Sequence, residues 1–96
     1  MSEFQQSERQ RQRKQMSDDI VLRVREAIRE ELAGAPKTVP ATELEKIEQT
    51  ILDHTQQVVQ ALNTEEMQSE RALLNHIANA RWEAQRSIRE RSRKTK

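Results

Sequence analysis

The chain has 96 residues, with 17 Lys and Arg against 16 Asp and Glu, no cysteine, one glycine and two prolines. That length holds one domain at most, and the absence of cysteine excludes a disulfide framework and any thiolate site. No apolar run approaches the roughly 20 residues needed to cross a bilayer.

Large apolar side chains are scarce. Leu, Ile, Val and Phe make up 19 of the 96 residues, which is the edge of what supports a packed core. The near-zero net charge argues against wholesale disorder, and a core this thin gains from self-association. The opening stretch MSEFQQSERQRQRK lacks the apolar segment of a secretory signal, and Glu3 and Glu8 are unlike an acid-poor presequence. A cytoplasmic protein is therefore expected.

Residues 1–15 are rich in Gln, Arg, Ser and Glu, with no apolar residue between Phe4 and Met16. A flexible basic tail is expected over 1–16, although Gln and Arg permit helix where something packs on them. Ser17-Asp18-Asp19 reads as an N-cap followed by acids in the first helical turn. At about 100° per residue, Ile20, Val24, Ala27 and Ile28 share one face, with Val21 and Leu32 on its shoulder. Gly34 suits the left-handed residue that closes a helix, and Pro36 prevents its resumption. The first helix is predicted over 18–33.

The single glycine and both prolines fall within GAPKTVPA, residues 34–41, a connector too short to join two domains. Thr42 and Glu45 are spaced as a capping box, which opens a predicted helix over 43–62. Its apolar positions Leu44, Ile47, Ile51, Leu52, Val58, Val59 and Leu62 lie within an arc of about 140°, and Lys46, Gln49, Asp53, Gln56, Gln57 and Gln60 lie opposite. At Asn63-Thr64 the apolar phase fails, because the seven-residue step from Leu44 and Ile51 lands on Glu65. Asn63 as a left-handed C-cap and Thr64 as a fresh start predict a tight turn; the rival is one long helix with a coiled-coil-like phase shift. A third helix over 65–91 carries Leu73, Ile77, Ala80, Ala84 and Ile88, and residues 93–96 are expected as a flexible basic end.

The predicted architecture is all-α. It is a single domain over 17–92, a small three-helix bundle or a helical hairpin plus an N-terminal helix, forming a dimer. Its expected core and interface residues are Ile20, Val24, Ile28, Leu44, Ile47, Ile51, Val58, Leu62, Leu73, Ile77 and Ile88.

Charge is strongly segregated along the chain. Residues 1–16 carry four bases and two acids, residues 17–80 six bases and twelve acids, and residues 81–96 seven bases and two acids. One or two cations at a helix C-terminus oppose the partial negative charge of its last carbonyls; Arg86, Arg89, Arg91, Arg93, Lys94 and Lys96 exceed that need. Trp82, Arg86, Arg89 and Arg93 fall within about 60° of one another. An aromatic ring with guanidinium groups on one helical face can contact phosphates and stack on a base or a partner side chain. Arg9, Arg11, Arg13 and Lys14 form the matching group near the start. The plainer alternative is that Trp82 continues a stripe with Met67, Leu74 and Ala78 and packs on another helix. The arginines are then a solvated face.

No cofactor is expected and no small-molecule substrate is indicated. His54 and His76 are 22 residues apart, with no H-x-x-x-H and no Cys ligand, so zinc is disfavoured. A single glycine cannot build a phosphate loop. Glu43, Glu45, Glu48, Glu65, Glu66 and Glu70 cluster at helix starts, where the dipole accounts for them, so an enzyme is not expected. Leu22, near Arg25 and Arg29 on the polar face of the first helix, is a candidate edge of a partner surface.

The leading expectation is an accessory or adaptor protein that docks with itself or with a larger protein. The alternative is a nucleic-acid-binding accessory or regulatory protein using residues 9–14 and 81–96. A membrane-surface helix over 73–96 ranks last, because Ala80 and Ala84 stand where such a helix favours larger apolar residues.

Overall fold

The computed structural model describes residues 2–94, with side-chain surroundings for residues 8–93. Residue 1 and residues 95 and 96, the extremes of the two expected basic ends, lie outside the described residues. Four helices follow in order: α1 (Ser2–Ala33), α2 (Ala41–Gln60), α3 (Thr64–Gln68) and α4 (Glu70–Lys94). No strand occurs among the described residues. None of the helices is long and apolar enough to cross a membrane.

α1 is far longer than the predicted 18–33. The stretch expected as a flexible tail continues the same helix, and Ser17 lies inside it rather than capping it. Two causes are visible. Residues 2–16 contain neither Gly nor Pro and are dominated by Gln, Arg, Lys and Glu, which cost a helix little. Side chains of this segment also find partners: Met16 packs against the core, and the Arg13 guanidinium donates to the carbonyls of Gln60 at 2.9 Å and Leu62 at 2.7 Å.

The helix ends also differ from expectation. Gly34 does not adopt a left-handed conformation; no residue among those described has positive φ. α1 instead closes by tightening, with Gly34 N–H donating to Glu31 O at 3.2 Å and Ala35 N–H to Leu32 O at 3.1 Å. The Thr42–Glu45 capping box does not form. Pro40, with extended backbone, is the N-cap of α2, and its carbonyl accepts from Glu43 and Leu44. Proline fits there because its fixed φ is already that of the residue entering the helix.

The turn predicted at residues 63–64 is present, with different chemistry. Asn63 is extended, not left-handed, and caps α3 from its N-terminal side. Its Oδ1 accepts from Glu66 N–H at 2.8 Å, while Glu66 Oε1 accepts from Asn63 N–H at 3.3 Å. The predicted single helix over 65–91 is interrupted at Ser69, whose backbone is extended. The Ser69 hydroxyl accepts from Ala72 N–H at 3.2 Å, so it starts α4 as an N-cap. The break lets α3 turn Met67 inward, where it is buried.

The core forms where α1, α2 and α4 meet. α1 contributes Ile20, Val24, Ala27 and Ile28; α2 contributes Ile47, Ile51, Leu52 and Val59; α4 contributes Ala80, Ala84 and Ile88. Leu44, Leu62, Leu73 and Ile77 pack against this cluster while partly exposed. Val39, in the connector, is also buried. Val58 departs from the expected core: it is 47% exposed and lines a groove beside α4 that stays open.

Cross-helix contacts fix the directions. Arg13 lies beside Leu62, Arg29 Nε is 2.8 Å from Glu48 Oε1, Arg81 reaches Glu30 and Glu31, and Arg91 pairs with Glu43. α1 and α4 therefore run the same way, with α2 antiparallel to both. The molecule is elongated, 62 × 24 × 18 Å, because α1 alone is about 48 Å long at 1.5 Å per residue.

Replacing Ile28 or Ile51 with Ala should lower the unfolding free energy by about 2–5 kcal/mol. Val58→Ala should lower it by about 1 kcal/mol or less, because half of that side chain is already in water. Denaturant titration of the three variants checks the packing; equal losses at 51 and 58 would contradict it.

Candidate interaction surfaces

α4 has two unlike sides. Its inner side is the core stripe already described. On the outer side, Leu74, Ala78 and Trp82 follow at four-residue steps, so each lies one turn above the last on a single row. All three are exposed, Leu74 at 59% and Trp82 at 55%. Trp82, which one of the two readings of its stripe packs on another helix, stays outside the core cluster at the rim of a groove toward α2. The guanidinium of Arg86 instead lies 5.4 Å from the centre of the indole ring, a cation–π arrangement, while Arg86 Nε donates to Glu90 Oε1 at 3.3 Å. Arg89 and Arg93 are exposed on the same side of the helix.

Beside this row runs a groove between α2 and α4, with Val58, His76, Ala80 and Trp82 among its lining. His54 Nδ1 and Glu83 Oε2, 3.6 Å apart, bridge the two helices across it. Among the described residues, His76 Nε2 and Arg25 Nε are buried without a hydrogen-bond partner. No group of three or more His, Cys, Asp or Glu side chains among those residues stands where it could hold a metal ion.

The two basic groups singled out in the sequence are not brought together. Arg9, Arg11, Arg13 and Lys14 lie at the end of the bundle where α2 finishes; Arg86, Arg89 and Arg93 lie toward the opposite end. The acidic middle of the chain separates them along the long axis. Within the first group, Arg9, Arg11 and Lys14 are exposed, but Arg13 is engaged with the last carbonyls of α2. Its charge there opposes the partial negative charge of a helix C-terminus. Sequence reading missed this role because nothing local to residue 13 marks a contact with residues 60 and 62.

Other cations are likewise occupied. Arg81 donates from Nη2 to Glu30 Oε2 at 2.8 Å and from Nη1 to Glu31 Oε1 at 3.2 Å. The hydrogen bond to Glu30, then that to Glu31, holds its pKa above the ordinary arginine value, against a smaller opposing effect of burial. Gln85 adds a bond to the other oxygen of Glu31 at 3.2 Å. Comparison with protein-family models, with curated proteins and with solved structures finds no match to the chain.

Arg13→Ala removes both bonds to the end of α2 and should lower stability by about 1 kcal/mol, seen as a lower thermal midpoint. Arg11→Ala, at an exposed position two residues away, should leave the midpoint unchanged. Identical melting of the two variants would contradict the capping role.

Proposed function

We propose that this chain is a non-enzymatic accessory or adaptor protein of the cytoplasm that acts through protein–protein contact, with self-association as its first mode. The observation carrying this reading is the exposed apolar row Leu74–Ala78–Trp82 on the outer side of α4. A lone exposed Leu means little on any protein. A half-exposed tryptophan in line with a leucine and an alanine is different, because the three form one contiguous patch that water solvates poorly.

The same bundle explains why a partner helps. Its core takes three or four aliphatic side chains from each of the three long helices rather than large aromatic residues, so additional apolar burial adds a large fraction to a small total. Leu22, 50% exposed on α1, offers a second and smaller apolar edge on another face. Measuring mass by sedimentation from low to high micromolar protein tests the reading. A rise from monomer toward dimer is expected; a monomer throughout would reject self-association.

A second reading is favoured by one specific observation, the Arg86 guanidinium over Trp82 with Arg89 and Arg93 exposed nearby. This face has the charge and the aromatic surface to bind single-stranded nucleic acid. The separation of the basic ends by an acidic body confines such a contact to the α4 end alone. Few phosphates would be neutralised, so the logarithm of affinity should fall with the logarithm of salt at a shallow slope of about two. Replacing Arg86, Arg89 and Arg93 with Gln should abolish binding while leaving the far-ultraviolet dichroism unchanged. No binding to oligonucleotides at low salt removes this reading.

A further inference from the structure

We propose that the partner of the α4 outer face is α4 of a second copy, packed antiparallel about a two-fold axis through Ala78. The inference rests on the self-association reading and adds to it the surface, the direction and the register. It follows from the row itself, which reads Glu70, Leu74, Ala78, Trp82, Arg86 at successive four-residue steps, every one of them exposed.

The row is complementary to its own reverse. A two-fold axis at Ala78 sets each residue opposite the one equally far on the other side. Leu74 then meets the partner copy's indole, and the small alanines meet each other on the axis, which allows close approach of the two backbones. Glu70 meets the partner copy's guanidinium at position 86; symmetry makes this contact and the Leu74–indole contact twice, and the alanine contact on the axis once. Rows of this spacing interlock when two helices cross at about 50°, the commonest helix-packing geometry. The contact therefore spans about four turns, with the ion pairs closing its two ends.

Charge decides the direction. Residues 63–80 carry three acids and one base, whereas residues 81–94 carry six bases and two acids. A parallel pair would lay the basic end of α4 along its own copy. An antiparallel pair brings it to Glu70 of the partner copy and also opposes the two helix dipoles. Arg86, now over its own Trp82 and bonded to Glu90, sits at the edge of the patch, where it can reach a carboxylate of the partner without leaving the indole.

Charge reversal tests both register and direction. Glu70→Arg places like charges opposite each other at both ends of the pair, and Arg86→Glu does the same, so each variant alone should weaken the homodimer by about tenfold or more. Mixing the two variants restores opposite charges at both ends. The mixture should therefore dimerise as tightly as the unaltered chain, measured by sedimentation or by energy transfer between labelled copies. Trp82 is the sole tryptophan, so its emission should shift to the blue as the unaltered protein is concentrated. A dimer whose dissociation constant ignores both reversals, or a mixture no tighter than either variant alone, overturns the α4 pairing and leaves self-association standing. A chain that stays monomeric at every concentration overturns both. Recovery in the mixture cannot come from a variant that fails to fold.

Discussion

One apolar arc on α2 organises this molecule. Ile47, Ile51, Leu52 and Val59 project from one side of a helix whose other side is Lys, Gln and Asp. A helix of 20 residues with that pattern is marginal alone in water, and it is held by what covers it. α1 lies along one flank and α4 along the other, and the fully buried Val24 and Ile28 fill the space between them. The cross-helix ion pairs are mostly half exposed and add little free energy individually. Their role is to set register: each links a specific pair of turns, with Arg91–Glu43 at one end of the bundle and the hydrogen bonds of Arg13 to α2 carbonyls at the other.

The parts that could be read from sequence are those where local rules and burial agree. Gly34, Pro36 and Pro40 interrupt any helical pattern, so the connector was plain, and the one-sided stripe of α2 identified its buried face. The turn after Leu62 was visible through the loss of apolar phase. What failed was the choice among chemistries that meet the same need. Gly34 permits a left-handed close, yet a final tightened turn satisfies the same carbonyls. Thr42 and Glu45 have capping-box spacing, yet Pro40 starts the helix earlier. Asn63 caps the following helix rather than closing the preceding one.

A different kind of miss concerns residues 2–16 and Val58. Sequence periodicity records which residues could be buried, not how far the neighbouring helix extends. Without apolar residues between Phe4 and Met16, nothing in the pattern distinguishes a solvated helix from a tail. The long-range bonds of Arg13 make the difference, and they join residues 13 and 62. Val58 satisfies the α2 pattern but faces a stretch where α2 and α4 leave a groove open. Of the candidate contact residues, Trp82, Arg86, Arg89 and Arg93 do share a side of α4. The N-terminal group stands at the far end of the molecule, a separation that charge counting along the chain could not reveal.

Amide hydrogen exchange on the intact chain tests the central claim most directly, because it reports which backbone is shielded by packing. The amides of Val24, Ile28, Ile51, Leu52, Val59 and Ala84 should exchange slowest and open together as one unit. Rapid exchange across α2 with protection confined to α1 would show that its apolar face is not covered, and the account would fail there.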